Sequence, residues 1–255
     1  KLEKDDRIID IGSNDGTLLN FFKPNKYKLI AVDPTIKKYK KFYKKNIIKI
    51  SDFFSYKKLE KHLIKKKAKL ITSIAMFYDL PDPVYFAKQV YDSLEDNGIW
   101  HLEQSYSGSM LHTLSYDTIC HEHLEYYSLY SIKKIFDKSG FKIIDINFND
   151  INGGSFAITV SKKISKYIET KKISKILKLE NKKGINNYQT YKIFYKKIKK
   201  QKKKILNFFK KIKEKKQTVI GYGASTKGNV LLQFCRLNST HLKFICDNLY
   251  WKCTC

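Results

Sequence analysis

The sequence predicts an α/β fold, a sheet crossed by helices, and three observations predict it. Apolar runs that end at turn residues alternate with lysine-rich stretches of helical period across residues 7–161. The first run closes in the glycine-rich turn Asp10-Ile11-Gly12-Ser13-Asn14-Asp15-Gly16. Two later runs are separated only by Asp150-Ile151-Asn152-Gly153-Gly154, and strands joined so tightly must pair antiparallel.

Taken in order, strands are expected at 7–11, 28–32, 47–50, 69–72 and 98–103. Asp33-Pro34 stops the second, and Glu95-Asp96-Asn97-Gly98 is a turn signal before the fifth. Helical periodicity places helices at 16–22, 36–44, 56–66, 84–94 and 131–139, the last closed by Gly140. The hairpin strands are 141–148 and 155–161. Beyond them the chain becomes lysine-dense, and Ile198, Ile205, Phe208, Phe209 and Ile212 recur at helical spacing in one long amphipathic helix over 187–216. Fresh strands at 217–221 and 242–246 open a second α/β unit. The expected organisation is therefore a ligand-binding domain at 1–163, a helical linker at 164–216, and a truncated nucleotide-binding-like domain at 217–255.

The 255 residues carry a formal charge of +27, which raises nucleic acid as a partner. Of the 51 basic residues only Arg7 and Arg236 are arginine, the residue whose fork reads phosphates and base edges. An excess of lysine with isoleucine, asparagine and tyrosine fits an AT-rich coding composition better than a nucleic-acid interface. No apolar run approaches the roughly 20 residues that span a bilayer. Cys120, Cys235, Cys246, Cys253 and Cys255 form no paired spacing, so neither a zinc knuckle nor a disulfide framework is expected, and the default setting is a reducing cytoplasm.

Three segments carry chemistry. In the first turn, Gly12 and Gly16 let the backbone pass close to a ligand at the carboxyl end of the sheet. The spacing does not fit the dinucleotide pattern G-x-G-x-x-G. Its acidic and amide side chains, Asp10, Ser13 and Asn14, suit a zwitterionic amino-acid tail, and the ligand expected is S-adenosylmethionine. Asp33 ends the second strand, where it can accept ribose hydroxyls. Asp52-Phe53-Phe54 can hold an adenine by one carboxylate bond and ring packing, and Met76 follows the fourth strand. Five alternating units closed by an antiparallel hairpin are the strand pattern of a class I methyltransferase sheet of seven strands.

The second segment, residues 116–128, follows the fifth strand and contains His121-Glu122-His123. Such a His-x-His pair can ligate a metal, but without further ligand spacing it is poor evidence for zinc. A histidine beside a carboxylate is also a proton-transfer unit near working pH. The third, Gly221-Tyr222-Gly223-Ala224-Ser225-Thr226-Lys227-Gly228-Asn229, sits at a strand end and opens a helix, so its backbone N–H groups and Lys227 can hold phosphates. It lacks the Gly-Lys-Ser/Thr ending of a Walker loop. On these residues alone an RNA methyltransferase, favoured by charge, and a non-catalytic nucleotide-binding protein, favoured by 221–228, remain alternatives.

Residues 10–16, 116–128, Asn152-Gly153-Gly154-Ser155-Phe156 and 221–229 occur in an order similar to that of the C-methyltransferases of nucleotide-linked deoxysugars. The resemblance runs from Arg7 to about Asp247. It implies S-adenosylmethionine as methyl donor and a nucleotide-linked 4-keto-6-deoxysugar as acceptor, methylated on the carbon beside the ketone through an enolate. His123 matches the family's base and Glu122 its orienting neighbour, with His121 and Tyr78 beside them. Tyr126, Asn152, Gly221, Gly223, Lys227 and Asn229 are then the expected substrate contacts. The chain departs from the family at Cys120, where a tyrosine is usual, and at Tyr78, where a histidine is frequent. The family's N-terminal zinc module, the one place where a metal is expected, has no counterpart in these residues. A monomer is expected.

Overall fold

The computed structural model describes residues 1–247; Cys253, Cys255 and the end of the expected 217–255 domain lie outside the described residues. Strands β1 (Arg7–Ile11), β2 (Lys28–Val32), β3 (Ile48–Ile50), β4 (Ala68–Ile74), β5 (Leu94–Ser105), β6 (Phe141–Asn149) and β7 (Ser155–Lys162) form one sheet. Its order is β3-β2-β1-β4-β5-β7-β6. The first five strands run parallel, and β7 lies antiparallel between β5 and β6. The seven-stranded α/β sheet with its closing hairpin is the class I methyltransferase architecture expected from sequence.

Parallel strands bury both faces, because each crossover returns over one of them. Alternate residues of β1 and β2 accordingly enter different cores. Ile9, Ile11, Ile30 and Val32 join the larger core, which also holds Phe77, Phe86, Trp100, Phe136 and Phe141. Ile8, Leu29 and Ala31 join the smaller one with Leu19, Ile36 and Tyr43. Within the larger core Trp100 meets Phe136 and Phe77 edge to face, and its indole N–H donates to Ser73 Oγ at 2.7 Å. A buried indole needs such a partner.

Helices α1 (Thr17–Asn20), α2 (Ile36–Tyr39), α3 (Tyr56–Leu63), α4 (Pro83–Ser93), α5 (Ser107–Thr113) and α6 (Leu129–Lys138) link the strands. Two expectations need correction. The single helix at 36–44 is α2 followed by a 3-10 turn at Lys40–Phe42, and Tyr43 leaves it extended and buried. The apolar Tyr43 ring is drawn under the glycine turn rather than kept on a helix face. The Glu95–Gly98 turn signal, in turn, does not precede β5 but lies inside it. Ala68 pairs with Leu94 and Leu70 with Ile99, so residues 95–98 bulge outward opposite Lys69.

Two compact units emerge, residues 1–107 with 124–185, and 108–123 with 186–255. Residues 164–185, expected within the linker, belong to the first unit. Their helix α7 (Lys171–Lys182) buries Ile173 and Glu180 there, and Thr170 N donates to the Ile144 carbonyl of β6. The second unit contains α8 (Tyr188–Glu214), which matches the expected amphipathic helix, then β8 (Ile220–Tyr222), α9 (Thr226–Cys235) and β9 (Phe244–Cys246). β8 and β9 pair in parallel with α9 as the crossover. Among the described residues no helix is long and apolar enough to cross a membrane.

Candidate active site

The glycine turn is held by its neighbours on β2 and β4. Gly12 and Gly16 adopt φ of 77° and 80°, a region that a Cβ penalises. A Cβ on Gly12 would stand 3.1 Å from the Met76 side chain. Gly12 N donates to the Val32 carbonyl at 2.9 Å, and Asn14 N donates to Asp33 Oδ2 at 3.0 Å. Asp33 is buried, and its other oxygen accepts the Thr35 N–H and hydroxyl. The hydroxyl of Tyr43, a residue the sequence reading passed over, donates to the Asn14 carbonyl at 2.7 Å; Ser13 Oγ must therefore donate to Tyr43 at 2.8 Å. Burial pushes Tyr43 up to about 12, so this hydroxyl keeps its proton.

Asp10 lies at the end of β1, only 3% exposed, with Thr72 Oγ1 donating to it at 2.7 Å. Burial raises its carboxyl from 3.8 to about 6; the Thr72 bond opposes that rise and the charge of Asp33 adds to it. A raised carboxyl stabilises the fold fully below pH 3.8 and loses that contribution as pH climbs through 6. The difference amounts to about 3 kcal/mol. We expect urea unfolding of Asp10→Asn, measured from pH 4 to 7, to lack the decline of that size present in the unaltered protein. Parallel pH profiles for the two proteins would assign Asp10 an ordinary carboxyl.

Asp52 is turned differently. Its oxygens take Lys58 Nζ at 2.6 Å and the Phe53 N–H at 2.7 Å, which hold its carboxyl below the usual range, while the Phe53 ring stands 73% exposed. Tyr78, half-buried in a 3-10 turn after β4, offers its carbonyl to Leu124 N and Glu125 N, each at 3.0 Å. Tyr126 is half-buried. Asn152 sits at φ 57° in the tight connection between β6 and β7.

In the second unit His121 and Glu122 form an exposed turn, and His123 N closes it on the Cys120 carbonyl. His123 Nδ1 lies 3.0 Å from the Thr118 carbonyl. A carbonyl only accepts, so Nδ1 carries the hydrogen and Nε2 is the basic nitrogen of the neutral ring. Among the described residues no three His, Cys, Asp or Glu side chains converge on a metal-sized point. A 3-10 turn at Tyr116–Thr118 packs against α9, with the Tyr116 ring 5.1 Å from Phe234. This packing brings Asp117 to the wall of a cavity of about 610 Å³ that Gly221, Gly223, Lys227 and Asn229 also line. Asp117, which nothing in the sequence sets beside the glycine loop, joins its four residues at this cavity only through the packing. At the start of α9, Ser225 Oγ accepts Gly228 N at 3.1 Å.

A seven-stranded sheet of this order with a glycine turn after β1 defines the class I methyltransferase fold. Residues 1–146 match the methyltransferase domain family and residues 150–254 the C-terminal domain of C-methyltransferases. The chain belongs to the methyltransferase family. C-methyltransferase NovU of Streptomyces niveus is 26% identical over 97% of this chain, which spans 59% of that relative's length. A methyltransferase solved with the Haloferax volcanii Trm112 activator superposes with a TM-score of 0.51 at 11% identity, over 63% of this chain and 84% of that one. LepI in complex with SAM superposes at 0.50 and 14%, over 63% and 43%. At such identities the two structures speak for the fold alone.

Proposed function

We propose that the chain is the catalytic part of an S-adenosylmethionine-dependent C-methyltransferase acting on the carbon beside the ketone of a nucleotide-linked 4-keto-deoxysugar. The observation that carries this reading is the cavity of the second unit, which joins a glycine turn at a helix N-terminus to Asp117, six residues before His123. Backbone N–H groups there suit a diphosphate. S-adenosylmethionine, when bound, supplies an electrophilic methyl group.

The chain's residues do the rest. Gly12 and Gly16 hold the left-handed turn that presents Ser13 and Asn14 to a ligand tail, with Asp10 below the turn and Met76 beside it. Asp33 faces the ribose hydroxyls, and Asp52 with Phe53 the adenine. His123 Nε2 takes the proton from the carbon next to the ketone, leaving its electron pair as an enolate; that carbon would bond to the methyl group as the methyl–sulfur bond breaks, its electron pair staying on sulfur in the departing thioether. Glu122 assists that histidine, and His121 and Tyr78 are the other residues this reading assigns to catalysis. Gly221, Gly223, Lys227 and Asn229 hold the nucleotide diphosphate; Tyr126 and Asn152 are further substrate contacts in this reading.

Labelled methyl transfer to thymidine-diphosphate 4-keto-6-deoxyglucose tests the reading. Absence of both methyl transfer and proton exchange beside the ketone in deuterated water would reject it. At the donor site, Asp33→Ala is expected to weaken S-adenosylhomocysteine binding by about 10- to 100-fold, the loss associated with charge-assisted hydrogen bonds. Calorimetric affinity within twofold of the unaltered protein would move the ribose contact elsewhere.

A further inference from the structure

Glu180 stands in the lysine-dense stretch that reads from sequence as a linker, yet it is fully buried. A buried carboxyl group needs partners, and its partners come from two places far apart in the chain. Oε1 accepts the Tyr106 hydroxyl at 2.9 Å and Leu129 N at 2.7 Å, and Oε2 accepts Tyr130 N at 2.9 Å. Tyr106 directly follows β5, and Leu129 is the first residue of α6. Everything between them is the excursion that bears His121, Glu122 and His123.

A second bond joins the same two roots, since Ser107 N donates to the Tyr127 carbonyl at 2.9 Å. The Tyr106 ring is wedged against Phe148 and Phe156 at 5.0 and 5.3 Å, so the root it marks is tied to the closing hairpin. Capping α6 does not by itself account for Glu180. Ser128 already accepts Ser131 N in a capping box, and a cap has no use for the Tyr106 hydroxyl.

We propose that Glu180 is a positioning residue that staples together the two roots of the excursion carrying the candidate base. The assignment of importance to that excursion rests on the function proposed above; the staple itself does not. Hydrogen exchange of the whole chain, read peptide by peptide, tests it in Glu180→Ala, Glu180→Gln and Tyr106→Phe. In Glu180→Ala, peptides within 107–123 should exchange about tenfold faster or more, because two helix N–H groups and one hydroxyl lose their acceptors. Peptides from β1 to β4 should keep their rates, and S-adenosylhomocysteine affinity should stay within twofold. Tyr106→Phe, which leaves the α6 cap intact, should move the same peptides in the same direction. Glu180→Gln should be intermediate, because its amide nitrogen would confront the Tyr130 N–H.

Faster exchange confined to 129–138 would reduce Glu180 to a helix cap and overturn the proposal. So would acceleration spread evenly over the first unit. If Glu180→Ala does not fold, the glutamine and Tyr106 variants decide by the same comparison. With a transferring enzyme, Glu180→Ala should lower kcat and leave the KM for S-adenosylmethionine unchanged, with partial rescue by Glu180→Gln. A chain that transfers no methyl group at all would remove the function but not the exchange result.

Discussion

Replacing His123 with alanine is expected to slow methyl transfer about 100- to 10,000-fold, the range by which a positioned general base accelerates proton removal. The expectation rests on the Thr118 carbonyl, which takes the Nδ1 hydrogen and so assigns the basic electron pair to Nε2. Proton exchange beside the ketone in deuterated water separates this role from others, since it reports the first step without methyl transfer. Exchange and transfer should fall together in His123→Ala, while S-adenosylhomocysteine binding stays unchanged. Exchange at the original rate in His123→Ala would reassign the base, with His121 the next residue to replace. The structure also makes His123→Asn informative. An amide can donate to Thr118 and preserve the turn, but it cannot accept a proton, so it should be as slow as the alanine variant.

Gly16→Ala should damage stability and donor binding together. The left-handed conformation at φ 80° costs an alanine about 1–2 kcal/mol. Its Cβ would in addition stand 2.5 Å from the Tyr43 ring, which is buried and bonded to Ser13 and Asn14 and so has little freedom to move. Overpacking of that kind typically costs another 1–3 kcal/mol or so. A fall in melting temperature on the order of 5–15 °C is expected, with donor binding lost beyond measurement by calorimetry. Tyr43→Leu should remove the collision and leave the backbone strain. In that background Gly16→Ala should therefore cost only about 1–2 kcal/mol, and a double-mutant cycle in urea reads the difference. Additive penalties would mean that Tyr43 yields freely and does not support the turn.

Much of the fold was legible because it is written in short-range patterns. The near-continuous apolar runs Ile8-Ile9-Asp10-Ile11 and Leu29-Ile30-Ala31-Val32 mark strands with both faces covered, and the two cores share alternate residues between them as the strand pleat requires. The tight spacing of the last two strands left antiparallel pairing as the only option. The turn signal at Glu95–Gly98 is equally local. Asp-Asn-Gly favours a chain reversal in isolation, but pairing of Leu94 with Ala68 and of Ile99 with Leu70 turns the four intervening residues into a bulge. Tyr43 carried no local sign of its role, since an aromatic residue among lysines reads as part of an amphipathic helix.

By itself the sequence determined the sheet, the glycine turns at 12–16 and 221–223, the acidic residues at strand ends and the His-Glu-His segment. Each depends on hydrophobic period, backbone freedom or side-chain chemistry within about a dozen residues. The tertiary structure alone decided which nitrogen of His123 is basic, that Asp117 shares a cavity with Gly221, and that burial lifts Asp10. It also decided that Tyr43 supports Asn14 across 29 positions and that Glu180 reaches Tyr106 across 74. The physical reason is that a buried polar group is worth what its partners make of it. Those partners are adjacent only after the chain has folded, so no reading along the chain could supply them.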